Sequence, residues 1–253
     1  MAALESARRI GREAITAEAA WADWLAELRP DAWQLEDFLH PSQRLVVVSP
    51  HPDDEVLACG GLIALHLARG GAAAVVAVTD GEASHHDDPR WTPPRLAAAR
   101  RIERQRGLER LGLAGHGVTR LALADGAVTA QYRALDTCLR QILRPGDCVV
   151  STWRGDGHPD HDACGSVSAG VCADIGCRFI EAPVWMWQWG VAGDPRVPWH
   201  RLRQLALPKD TLARKAAALA AHRTQLASRA DDGPVLGPAI LARAARGAEY
   251  FFV

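Results

Sequence analysis

Leu45-Val46-Val47-Val48 is an uninterrupted, mostly β-branched apolar run that leads straight into Ser49-Pro50-His51-Pro52-Asp53-Asp54-Glu55. A run without a polar face predicts a strand buried on both sides, as in a parallel sheet covered by helices. A helix is expected from about Val56 to Ala68, ended by Gly70-Gly71, and a second strand from Ala74 to Val78. Strand, helix and strand in that order make a βαβ unit with a right-handed crossover and parallel strands. This unit points to an α/β fold.

The same alternation continues downstream. Helices are expected over about 94–111, 131–143, 162–174 and 211–226, the last capped by Asp210. Strands are expected over 118–123, 148–151, 178–182 and 202–207. Trp185, Trp187 and Trp189 alternate with Met186 and Gln188, which reads as a period-2 strand with its indoles on one face. The fold class expected is therefore α/β, a Rossmann-like, mostly parallel sheet flanked by helices. Its working loops should lie at the carboxyl ends of strands. Two regions are expected: residues 1–40 as a helical N-terminal extension packed on the rest, and 41–253 as the main domain. Trp21, Trp24 and Leu28 stand at helical spacing in the first.

A chain of 253 residues is long enough for a large buried core. Its formal net charge of -1 supplies no field for nucleic acid or an anionic membrane. No stretch approaches the roughly 18 uninterrupted apolar residues of a membrane span. The first residues have no apolar core of a secretory signal, so the expected compartment is the cytoplasm. The six cysteines (Cys59, Cys138, Cys148, Cys164, Cys172, Cys177) form no C-x-x-C pair and read as reduced thiols. A homo-oligomer stays open.

The chemistry sits in two loops about a hundred residues apart. One is the His51-Pro52-Asp53-Asp54-Glu55 loop, and the other is Gly157-His158-Pro159-Asp160-His161. Each offers histidine and carboxylate directly after a strand, and together they can close a three-ligand metal site. A divalent metal on two His and one Asp is a hydrolytic centre. Taken singly, the acids of the first loop also read as a helix cap, and the second loop as a polar turn. Two such loops on one sheet favour the metal. His85-His86-Asp87-Asp88 reads as a solvated loop rather than a second cluster. The tryptophan stripe reads equally as a sugar-stacking platform and as core or interface packing.

These motifs resemble the PIG-L/LmbE family of zinc-dependent N-deacetylases, which carries H-P-D-D-E and H-P-D-H. Weaker marks are Thr79-Asp80-Gly81-Glu82, Arg100 with Glu103 and Leu111-Gly112, Asp125-Gly126, and Lys215 with Ala218, His222 and Gln225. The resemblance covers roughly residues 44–226. It implies His51, Asp54 and His161 as ligands of one Zn2+ per chain, though the same set accepts other divalent metals. It implies Asp53 as the general base, His158 as the group that stabilises the oxyanion and protonates the amine, and Asp160 as the residue that orients His158. Arg100 and Asp125 match substrate-contacting positions. The implied reaction is removal of acetyl from an N-acetylated amino sugar conjugate by an activated water. A metal-dependent amidase acting on a non-sugar amide is one alternative. A non-catalytic sugar-conjugate binding protein of the same fold is another.

Overall fold

Every residue from Leu45 to Ser49 is buried, as a strand covered on both faces requires. The computed structural model describes residues 8, 10, 11, 13–229 and 233–253. In chain order the elements are α1 (Glu18–Leu28), β1 (Asp31–Ala32), α2 (Leu35–Phe38), β2 (Arg44–Ser49), α3 (Asp54–Ala68), β3 (Ala72–Thr79), α4 (Pro93–Leu111) and β4 (Val118–Leu123). There follow α5 (Tyr132–Ile142), β5 (Cys148–Thr152), α6 (Pro159–Ile175), β6 (Arg178–Ala182), α7 (Met186–Trp189) and β7 (Leu202–Ala206). The chain ends with α8 (Lys209–Leu219), α9 (Arg223–Leu226), α10 (Pro238–Ala244) and β8 (Ala248–Phe252).

The strands form one sheet in the order β1-β7-β8-β6-β5-β2-β3-β4. Only β8 runs antiparallel to its neighbours, β6 and β7. The chain steps outward from β2 to β3 and β4, then returns to place β5 on the other side of β2. That reversal between β2 and β5 opens a crevice at the carboxyl ends of the two strands, where open α/β sheets place their ligands. The two strands pair in parallel register, Leu45 with Cys148 and Val48 with Ser151. Their following loops, which carry the two motifs, therefore emerge side by side.

Alternation along β2 builds two cores. Leu45 and Val47 join Cys59, Leu62, Ile63, Leu108 and Leu111 on one face. Val46 and Val48 join Val76, Val149, Leu135, Leu139 and Val171 on the other. Burying each such side chain contributes about 1.5–3 kcal/mol, so the sheet and both helix layers hold the loops on a stiff frame. All six cysteines are free thiols. No helix among the described residues is long and apolar enough to cross a membrane.

Four readings need correction. Trp185–Trp189 is not a strand: Met186–Trp189 is a helical turn with all four residues buried. The expected 211–226 helix breaks into α8 and α9 around Ala220–His222, and Asp210 lies inside α8 rather than at its N-cap, which is Pro208. Among the described residues, helix in the expected helical N-terminal extension begins at Glu18, and its earliest residues lie outside the described set. The antiparallel strand β8 and helix α10 are not among the expected elements. Around α1, Trp21, Trp187, Trp189, Trp153 and Phe252 form a third, aromatic core.

Candidate metal centre

The first loop is bent by its own sequence. Pro52 holds His51 extended, and Asp53 takes φ 126°, ψ -29°, a region that side chains rarely adopt. Such strain costs on the order of 1–3 kcal/mol and persists only where the surroundings enforce it. Here Glu55 enforces it from within. Its Oε2 lies 2.6 Å from the Ser49 hydroxyl and accepts the Asp53 N–H at 3.4 Å. The Ser49 hydroxyl also lies 2.7 Å from the His51 carbonyl. Glu55 is fully buried, and Arg104 approaches its other oxygen at 3.6 Å.

Three donor atoms converge above this bend. His51 Nδ1 lies 3.0 Å from Asp54 Oδ2, and His161 Nε2 lies 3.1 Å from the same oxygen. The two ring nitrogens are 3.2 Å apart. A tetrahedral ion with bonds of about 2.0–2.1 Å would separate its ligands by about 3.3–3.4 Å. The triangle therefore has nearly the size of one face of such a site. Two histidines and one carboxylate are also the right donor chemistry for a borderline divalent ion, so the residues present fit the metal.

The outer ring nitrogens are held by carboxylates, as ligating histidines require. His161 Nδ1 donates to Asp156 Oδ2 at 2.8 Å. His51 Nε2 faces Asp125 Oδ1 at 3.1 Å and Asp160 Oδ2 at 3.2 Å. Burial opposes charge on both rings. The carboxylates around them prevail, holding His51 well above the ordinary range and His161 at about 9. Asp54 is held well below the usual carboxylate range: burial would raise it, but His161 and His51 outweigh that.

Asp53 and Asp54 are neighbours with opposite settings. Burial pushes the Asp53 carboxyl up to about 7, against the opposing charge of Arg100. Arg100 Nη2 donates to Asp53 Oδ2 at 3.2 Å and to the Pro52 carbonyl at 2.7 Å, while Nη1 donates to the Gly81 carbonyl at 2.8 Å. Arg100 lines the cavity, yet it is only 3% exposed, and its two terminal nitrogens bridge the first loop and the turn after β3. The arginine expected to contact substrate thus lines the cavity while paired with Asp53. Asp125 also lines the cavity, with one oxygen on His51 and the other accepting the Ala83 N–H at 2.8 Å.

His158 stands outside the tight triangle, its ring centroid 4.9 Å from that of His51 and 5.0 Å from that of His161. Its Nδ1 accepts the Asp160 backbone N–H at 3.2 Å. Burial, then the positive rings of His161 and His51, holds its pKa down to about 4. A neutral ring that accepts at Nδ1 carries its proton on Nε2. The Asp160 carboxylate does not orient His158 as expected. It binds His51 and the backbone N–H groups of Gly126 and Val128, at 2.8 and 3.1 Å.

His51, Asp53, Asp54, Arg100, Asp125 and His158 line a cavity of about 200 Å³ together with Leu57, Ser84, Trp185, Gln225 and Leu236. The tryptophan stripe is thus divided: Trp185 faces the cavity, whereas Trp187 and Trp189 are core. The His85–Asp88 segment is divided too. His85 is buried, with its ring at Ser84 Oγ and the Thr224 carbonyl, and only His86 and Asp87 are exposed. Lys215 lies away from the metal donors, paired with Glu249 at 2.7 Å. Sequence reasoning missed Asp156, a lone acid between Gly155 and Gly157 that reads as a turn residue. Its place five residues before His161 was the available signal.

Comparison with known proteins finds relatives for most of the chain. A family profile described as PIG-L: GlcNAc-PI de-N-acetylase matches residues 46–172. The 1D-myo-inositol 2-acetamido-2-deoxy-alpha-D-glucopyranoside deacetylase of Tsukamurella paurometabola is 28% identical over 251 aligned positions, covering 74% of this chain and 84% of the relative. The enzyme of that name from Mycolicibacterium smegmatis is 38% identical over 147 positions, 48% of this chain and 50% of the relative. A conserved protein from Thermus thermophilus shares the fold, with a TM-score of 0.59 at 24% identity over 83% of this chain and 93% of that one.

Proposed function

The chain belongs to the PIG-L family of de-N-acetylases, and from that premise we propose that it removes acetyl from the 2-acetamido group of an N-acetylglucosaminide. The observation that carries the reading is the triangle of His51 Nδ1, Asp54 Oδ2 and His161 Nε2, with the differently set Asp53 carboxyl beside it. The metal we propose is zinc, which those three atoms would hold. When bound, it supplies Lewis-acid polarisation of the amide carbonyl and acidifies a water.

The chain's own residues do the rest. The Asp53 carboxylate accepts a proton from the attacking water, and a pKa of about 7 suits that task near neutrality. The water oxygen adds to the acetyl carbon, and the His158 Nε2–H donates to the oxyanion that develops. The C–N bond then breaks, and the protonated Asp53 returns its proton to the departing amine. Acetate and a free amino sugar result, and Asp53 is ready again. His158 serves as the hydrogen-bond donor to the oxyanion, its Nδ1 being occupied by the Asp160 backbone N–H. Trp185 offers an indole to the apolar face of the sugar ring.

Acetate release from a panel of N-acetylglucosaminides and simple acetamides tests the proposal. Turnover confined to the glucosaminides supports it. Equal turnover of non-sugar acetamides would replace it with a general amidase. Tight glucosaminide binding without acetate release by the zinc-loaded protein would replace it with a binding role.

A further inference from the structure

Asp156 is fully buried and its carboxylate is saturated by N–H donors. Oδ2 accepts His161 Nδ1–H at 2.8 Å and the Trp185 N–H at 2.9 Å. Oδ1 accepts the N–H groups of Val184 and Met186, at 2.9 and 2.8 Å. The Asp156 carbonyl accepts Trp189 Nε1–H at 2.6 Å. One side chain thus grips a metal-ligand ring and the backbone turn that presents Trp185 to the cavity.

We propose that Asp156 is a positioning residue that fixes the ligand ring of His161 and the cavity wall at Trp185 in one frame. This rests on the deacetylase reading for its substrate arm only. By accepting a hydrogen bond from His161 Nδ1–H, Asp156 keeps the ring proton on Nδ1 and leaves Nε2 as the lone-pair nitrogen facing His51 and Asp54. By capping three successive amides it holds Trp185 at a fixed distance from that ring, with centroids 6.5 Å apart. The N-terminal region closes the same unit from outside. The Ile15 N–H donates to the Gln188 carbonyl at 2.9 Å, the Thr16 hydroxyl to the Gly190 carbonyl at 2.8 Å and Trp21 Nε1–H to the Trp187 carbonyl at 3.2 Å. The part of the chain that matches none of the motifs thereby braces the turn that Asp156 caps.

The test is Asp156→Asn. An amide in place of the carboxylate sets an NH2 against either the imidazole N–H or the turn amides, so one of the two grips must fail. Zinc affinity, read by chelator competition, should weaken about 10- to 100-fold, the usual cost of losing a group that orients a ligand. With zinc restored to saturation, kcat should return to within a few-fold of the parent, while KM for an N-acetylglucosaminide stays raised. A variant that merely melts lower, with zinc affinity and KM unchanged, would overturn the proposal.

Should Asp156→Asn not fold, ring-nitrogen NMR of the zinc-loaded parent decides. His161 should carry its proton on Nδ1, and the Trp185 and Met186 amides should exchange slowly. A proton on Nε2, or fast exchange at both amides, would overturn the inference. The affinity and NMR arms need no turnover. A parent that binds zinc as described but cleaves no glucosaminide would therefore refute the function and leave this inference standing.

Discussion

Arg100 and Asp53 are 47 residues apart in the chain, yet Arg100 Nη2 donates to Asp53 Oδ2 across 3.2 Å at the lining of the cavity. The pairing places a guanidinium directly against the proposed base. It also holds down a strained residue, because the same guanidinium binds the Pro52 carbonyl just before the φ 126° turn.

Arg100→Met is accordingly expected to lower kcat roughly tenfold or more while changing KM less, the pattern of an interaction that matters to the chemical step. Gly81→Ala should reproduce it. Gly81 has φ +68°, and a Cβ there would overlap the Arg100 guanidinium. Steady-state kinetics on one N-acetylglucosaminide decides. A raised KM with unchanged kcat in Arg100→Met would return that residue to substrate binding.

The adjacent acids should separate cleanly. Asp53→Asn keeps all three metal donors, so it should bind zinc normally and lose roughly a hundredfold in kcat. Asp54→Asn replaces a charged donor with a neutral amide and should lose zinc affinity. Metal dissociation constants and single-turnover rates for both variants check this. If Asp53→Asn loses zinc and Asp54→Asn is merely slow, the two assignments are reversed.

Trp21 is fully buried, meets Trp187 edge-on at 5.1 Å and donates to its carbonyl. Trp21→Ala should cost about 3–5 kcal/mol of unfolding free energy, the scale for emptying a large aromatic site. Denaturant titration reads it. A cost under about 1 kcal/mol would mean that α1 contributes little to the fold.

His222 supplies a pH dependence. It is fully buried, and among the described residues neither ring nitrogen has a hydrogen-bond partner. Burial, then the charges of Arg100 and Arg104, holds its pKa down to about 3. The unfolded chain takes up a proton near pH 6.5, whereas the folded chain does not until far lower. Stability contributed by keeping this ring neutral is therefore intact above about pH 6.5. It is lost as pH falls from there towards about 3, by at most about 1.4 kcal/mol per unit. His222→Leu should flatten that slope relative to the parent. Parallel stability–pH curves for the two proteins would contradict the assignment.

Much of the frame was legible because its signals are local. The β2 run, the glycines ending α3 and the alternation of strand and helix each follow from a few adjacent residues. The tryptophan segment was misread because a short, nearly all-apolar stretch satisfies strand and helix periods alike. What decides it is distant: the N–H groups of 184–186 go to Asp156 and not to a neighbouring strand. β8 is short and terminal, though its Tyr250-Phe251-Phe252 aromatics were a usable sign. The two motifs, through their resemblance to the PIG-L/LmbE family, singled out His51, Asp54, His158 and His161 as a group. They could not say which partner each side chain would choose, so Asp160 was given to another neighbour and the pairing of Arg100 with Asp53 was not foreseen.

The most direct test is acetate release from an N-acetylglucosaminide by the zinc-loaded protein, the chelator-stripped protein and the stripped protein reloaded with zinc. The account predicts acetate and free amine in equal amounts from the loaded enzyme, roughly a hundredfold loss or more on stripping and recovery on reloading. Turnover that survives complete removal of the metal, or a zinc-loaded protein that releases no acetate from any glucosaminide, would contradict it.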